Sequence, residues 1–162
     1  MSDVERRLAE AGLLLPPPLQ IPGDHRLPFA VLHRVGSRLL ISGHGPQENT
    51  SLSSKLRGKV GEHLTMDQGY RAARLTALSI LGSLKRELGD LDRVSRWVRV
   101  FGMVNSSPTF CEQPAVINGF SDLVLDLYGP SRGAHARSAV GMAQLPFNIA
   151  VEIEAEVEVD GA

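Results

Sequence analysis

Near its C-terminus the chain reads HARSAVGMAQLP, His135 to Pro146, and then VEIEAEVEV. The residue best equipped for chemistry here is Arg137. Its guanidinium keeps its charge at physiological pH and presents a flat fork of N–H donors that matches a carboxylate. A charge-assisted bond of that kind is worth roughly 1.5–3 kcal/mol. Arg137 opens a run of small and apolar residues, so its anion comes either from the chain or from a ligand. Glu152 is the chain's own candidate: it sits in the next extended run, and strands joined by a short connection usually pair. A solvated strand end is the other plain reading.

The histidines are His25, His33, His44, His63 and His135. None has H-x-H or H-E-x-x-H spacing, and a single cysteine makes no thiolate cluster, so no metal site is expected. His44 and His135 flank the motifs of interest. Each is either a surface histidine or a proton-transfer group near neutral pH. Cys111 precedes a helix, whose N-terminus can lower a thiol pKa. With no G-x-S-x-G elbow it is read as a buried bystander. G-x-G-x-x-G and G-x-x-x-x-G-K-[ST] are both absent, which removes dinucleotide and P-loop readings.

The elements that must position these residues follow from periodicity and turn signals. Val4 to Ala11 predicts a short helix, and Pro16, Pro17 and Pro18 impose an extended connector. This leader, 1–27, is read as an appendage that packs on a domain spanning 28–162 and carries no chemistry. Phe29 to Val35 and Arg38 to Ser42 form a hairpin around Gly36-Ser37. The second run ends in Ser42-Gly43-His44-Gly45-Pro46, a sharp turn or a close backbone approach. Residues 47–62 read as a surface loop with a short strand near Lys59-Val60. Thr65 to Gln68 has the capping-box pattern, and the helix behind it runs to about Leu88, with Gly89 as its stop. Val94 to Val104 reads as a strand. A second helix spans about Ala115 to Tyr128 and ends at Gly129-Pro130. Ser138 to Ala143 and Ile149 to Val159 are the closing strands. In the last one, apolar residues alternate with Glu152, Glu154, Glu156 and Glu158, the period of a half-buried strand. Four acids in a row repel, so at least one needs a basic partner.

This order predicts an α+β sandwich, one sheet with both helices on one face. Nothing in 162 residues is left to cover the other face, which argues for association through the sheet. Composition is that of an ordinary globular domain, 43% hydrophobic and 22% charged. One cysteine suits a reducing, cytoplasmic setting, and no signal peptide or membrane span is visible. The net charge is −1 with scattered arginines, and the aromatics do not interleave with them, which disfavours nucleic-acid binding.

Several segments together resemble the reactive-intermediate deaminase family, also called YjgF-like or L-PSP endoribonuclease-like. The resemblance covers roughly 28 to 159. Its strongest part is Ala136-Arg137-Ser138, Val140, Ala143, Leu145-Pro146 and Val151 to Ala155, joined by the Ser42-Gly43 turn and Asn118. It implies a chorismate-mutase-like fold with a mixed sheet and a homotrimer with clefts between subunits. The implied activity is hydrolysis of enamines and imines such as 2-aminoacrylate to 2-keto acids and ammonia, without a cofactor. Arg137 would hold the substrate carboxylate, Gly43 would give backbone contacts and Glu152 would position the attacking water. Phe29, Ser42, His44, Asn118 and Ala139 would complete the binding site. The chain departs from the best-known branch at Phe29, where that branch has tyrosine, and at Ala139, often cysteine. It also departs at His44, where glutamine commonly follows the glycine, and at His135, which replaces a proline. These departures define a divergent branch. They leave two further readings beside deaminase: non-catalytic binding of small carboxylate metabolites, and ribonuclease or translation inhibition, which the dispersed charge disfavours.

Overall fold

A computed structural model describes residues 2–21 and 27–160. His25 and the end of the leader lie outside those residues. The elements in order are α1 (Asp3–Glu10), β1 (Leu32–Val35), β2 (Arg38–His44), β3 (Gln47–Glu48), β4 (Ser51–Leu52), α2 (Met66–Leu88), β5 (Val94–Asn105), α3 (Gln113–Gly133), β6 (Ala136–Met142) and β7 (Val151–Val159). Five strands make one mixed sheet in the order β1-β2-β7-β5-β6, and β3 and β4 form a separate small hairpin. Helices α2 and α3 pack on each other and on the sheet, as the periodicity predicts, and α1 adds a third helix against α3.

Local chemistry accounts for the boundaries. Thr65 caps α2, and the reciprocal Gln68 bond completes the capping box, which satisfies two otherwise orphaned N–H groups. Gly89 closes α2 in the left-handed region, φ 74°. Gly129, at φ 72°, breaks α3, so the residues after it form a separate turn. Trp97 lies at the centre of the core, edge-on to Phe120 and Tyr128 at 5.5 and 5.9 Å. Along β7 Val151, Ile153, Ala155, Val157 and Val159 are buried, and the intervening glutamates are not. The alternation therefore sorts apolar side chains to the helix side and acids to the open side. The glutamate ladder has its basic partner: Arg38 bonds Glu156 at 2.8 Å.

One expectation is corrected. β6 and β7 do not pair. β5 lies between them, parallel to β6 and antiparallel to β7. The cause is the β5–α3–β6 crossover, which must return β6 parallel beside β5. The other edge of β5 is then left for β7, which also pairs with β2. The loop 47–62 also holds more order than its polarity implies. It carries the β3–β4 hairpin, and Val60 bridges to Leu64 and Ser106.

Candidate functional site

The predicted site residues fall into two groups. The first forms at the end of β2. The β2–β7 register is regular to Ile41↔Ala155 and shifts before His44↔Ile153, a bulge of the kind that re-aims side chains. Here it turns His44 toward α2 and leaves Gly43 facing Glu152. The Glu152 carboxylate occupies the space that a side chain on Gly43 would need. Glycine at 43 therefore serves the close approach of that carboxylate, which a side chain would displace, rather than turn geometry. Glu152 is half-buried, and no hydrogen bond or ion pair reaches its carboxylate among the described residues. Burial first, and Glu154 second, push its pKa above the usual carboxylate range, because loss of water disfavours the charged form.

The His44 ring is held at both nitrogens. Nδ1 lies 2.7 Å from the Ser42 carbonyl and Nε2 lies 2.9 Å from Ser83 Oγ. The carbonyl can only accept, so Nδ1 carries the proton and Ser83 donates to Nε2. Ser83 Oγ in turn accepts from Arg86 Nη2 at 3.1 Å. Burial, with Arg86 nearby, lowers the His44 pKa, while the Ser42 carbonyl opposes this. His44 is thus a neutral, fixed ring rather than a surface histidine. Phe29, Ser42, Gly43, His44 and Glu152 all line one cavity of about 840 Å3.

The second group lies on the far edge of the sheet. Asn118 and Ser121 sit at i and i+3 on α3, so they share a face. Arg137 Nη1 donates to Asn118 Oδ1 at 2.8 Å and to Ser121 Oγ at 3.0 Å, and Nη2 donates to the Pro114 carbonyl at 3.4 Å. All three acceptors are neutral. Among the described residues no carboxylate pairs with Arg137. His135 completes this group: Nδ1 lies 2.7 Å from the Gly133 carbonyl and Nε2 lies 2.9 Å from Ser121 Oγ. Burial lowers its pKa, with a smaller contribution from Arg137. Ala139 follows on β6 and is partly buried against the core.

Arg137 and Glu152 do not meet within the protomer, contrary to the expected strand pairing. Arg137 sits on the helix side of edge strand β6, Glu152 on the open side of β7, and β5 runs between them. Cys111 is exposed, not buried. Sequence reasoning missed Ser83, Arg86 and Ser121. A legible signal existed for two of them, since Ser79, Ser83 and Ser121 interrupt otherwise apolar helix faces. It also missed the leader's contribution. Pro18, Leu19 and Ile21 form one wall of the cavity. The leader is held there by Arg86 Nη1 on the Pro16 carbonyl at 3.1 Å and Gln47 Nε2 on the Pro17 carbonyl at 2.7 Å. Among the described residues no group of three or more His, Cys, Asp or Glu could hold a metal. No helix of theirs is long and apolar enough to cross a membrane.

A family model described as "YjgF/chorismate_mutase-like, putative endoribonuclease" matches residues 5–156, beginning inside the leader. Among curated proteins, Protein TCP17 of Trypanosoma cruzi is 46% identical over 125 residues, 77% of each chain. Among solved structures, the Agrobacterium tumefaciens protein Atu1372, of unknown function, is 39% identical with a TM-score of 0.86, over 98% of this chain and 93% of that one. A Shewanella oneidensis "putative endoribonuclease" is 30% identical with a TM-score of 0.87, over 98% and 100%.

Proposed function

The chain belongs to the YjgF/chorismate-mutase-like family, and from that premise we propose that it is a deaminase of 2-imino and 2-enamino acids. It hydrolyses them to 2-keto acids and ammonia in clefts between copies of the chain. One observation carries the reading: Arg137 and Glu152, of opposite charge, each lack a counter-ion among the described residues. Their separation within the protomer calls for a second copy. Three copies associated through the open sheet face would set the Arg137–Asn118 edge of one against the Gly43–Glu152 end of the next.

The chemistry asks little of the protein. The imine carbon is already electrophilic, so orientation, a water and a proton relay are enough. Arg137 grips the substrate carboxylate. Glu152 takes a proton from water as the oxygen attacks the imine carbon and returns a proton to nitrogen. The resulting carbinolamine expels ammonia and leaves the keto acid. An enamine substrate first takes a proton at carbon and gives one up at nitrogen to become the imine. The raised pKa of Glu152 makes it a stronger base than an ordinary carboxylate. The single cysteine fits the reducing cytoplasm in which we place the protein.

The test couples the protein to a generator of 2-aminoacrylate and times keto-acid release. We expect acceleration over buffer. Arg137→Ala should lose it chiefly through KM, and Glu152→Gln should lower kcat by about 10²-fold or more. Glu152 must be ionised to accept a proton, so activity falls as pH drops through its native pKa. That acid limb lies above the range of an ordinary glutamate. Wild-type protein that gives no acceleration removes the proposal.

Binding without turnover is the second reading, and Phe29 favours it. This residue lines the cavity with no hydroxyl to bond water or substrate. Tight binding of 2-ketobutyrate with no turnover, lost in Arg137→Ala, would select it. The endoribonuclease reading, carried by names of related proteins, lacks support in the charge distribution: the net charge is −1 and the arginines are dispersed. Salt-sensitive RNA binding would revive it.

A further inference from the structure

The cavity beside Glu152 is large for a three- or four-carbon imino acid. At about 840 Å3 it falls in the range that encloses a drug-sized ligand. Exposed apolar side chains gather on its walls. Phe147 is 70% exposed, Phe29 56%, Leu19 41%, Val31 38% and Ile21 36%, and all five line the cavity. Single exposed apolar residues are ordinary, but a contiguous group around a concave site marks a place where something binds.

Phe147 adds an independent observation. Its backbone is left-handed, φ 56°, and Asn148 follows at φ 57°, a conformation that bulky L residues rarely adopt and that clusters at ligand-clamping positions. The loop is held through Asn148, not through the ring. The Asn148 carbonyl accepts from Gly58 N–H at 2.8 Å, and its side-chain oxygen accepts from Asn105 Nδ2 at 3.0 Å. The chain thus keeps an unfavourable backbone state whose result is a mostly exposed ring on the cavity wall. Packing within the protomer does not explain that ring.

We infer that the imino acid taken by this protein carries a long aliphatic or aromatic side chain, which lies among Leu19, Ile21, Phe29, Val31 and Phe147 while the reacting carbon sits at Glu152. The inference rests on the deaminase reading for the placement of the reacting end. The cavity is lined by Glu152, His44, Ser83 and Arg86 as well as by these five apolar side chains, so one molecule with a polar head and an apolar tail can use both.

The experiment titrates the full chain by calorimetry with non-reacting keto acids of increasing length: pyruvate, 2-oxobutanoate, 2-oxohexanoate and 2-oxooctanoate, with phenylpyruvate as the aromatic member. Affinity should rise about fourfold per added methylene. Phe147→Gly should leave Tm unchanged or raised, since glycine accepts positive φ freely. It should weaken 2-oxooctanoate at least tenfold and leave pyruvate unaffected. Affinity independent of chain length overturns the inference and leaves the deaminase reading standing, as expected if a neighbouring copy fills the apolar walls. So does a lowered Tm in Phe147→Gly, which would show the ring packing inside the protein. Failure of every acid to bind, short or long, removes the carboxylate site itself and both readings with it.

Discussion

At the scale of single residues, one three-part device occurs twice. His44, Ser83 and Arg86 form it in the cavity, and His135, Ser121 and Arg137 form it on the far edge. In both, the imidazole Nδ1–H bonds the carbonyl two residues back, the serine donates to Nε2, and the serine oxygen accepts from a guanidinium. A neutral ring thereby fixes a serine, and the serine fixes an arginine. This leaves the arginine aimed without neutralising it, which a carboxylate partner would do. Gly43 works by absence instead. Gly43→Ala puts a methyl group where the Glu152 carboxylate lies. The end of a glutamate side chain can swing away, so Tm should change by less than about 2 °C, a loss of well under 1 kcal/mol. Keto-acid release should still fall at least tenfold. A variant that keeps full activity would show that the carboxylate's position does not matter. Arg137 stood out in the sequence by its type and neighbours, while Gly43 and Glu152 were singled out through the family resemblance. The relays were not, because they join helix positions to strands distant in the chain, and a lone histidine or serine carries no sign of its partner.

At the scale of elements, the sequence was most readable where one local rule acts. The capping box at Thr65, the stop at Gly89, the break at Gly129 and the alternation along β7 each follow from a few adjacent residues. Strand pairing is not of that kind. The β5–α3–β6 crossover decides which edge is free for β7, and no short window contains all three elements. The contact between α2 and α3 is similar. A side chain at Gly119 would overlap the Tyr70 carbonyl, and one at Gly69 would press on Val116 and Val60 at 3.1 Å. Glycines inside helices cost about 1 kcal/mol each relative to alanine by propensity alone, so close packing is what justifies them here. Gly119→Ala sets a methyl group against backbone that cannot swing aside. We expect a net loss of about 1–3 kcal/mol despite the better helix former, read as a lower urea midpoint. A gain in stability would mean that the helices have slack between them.

At the scale of the whole molecule, α2 and α3 cover one face of the sheet and leave the other open. Leu40, Phe101, Arg99, Glu154 and Glu156 line a shallow groove of about 290 Å3 on that open face. Leu40 is 41% exposed. In the proposed trimer this face meets its neighbours, so Leu40→Glu should lower the mass seen by light scattering to that of one chain. It should abolish keto-acid release and leave the far-ultraviolet circular dichroism unchanged. An unaltered mass would exclude this face as the contact. The leader also belongs to this scale. From the sequence it is an appendage that packs on the domain, and the described part does so: it crosses α2 and walls the cavity, a location that composition alone does not give.

That strap has a consequence for how proteins of this shape diversify. It is a separate strip of chain, clipped on by a guanidinium and a glutamine amide and remote in sequence from Arg137 and Glu152. In the proposed deaminase, changing a few of its letters would alter the cavity wall without touching Arg137 or Glu152. On the proposed reading, relatives that share the acid and the arginine would differ in diet through this strip, and a search restricted to those two positions would overlook it.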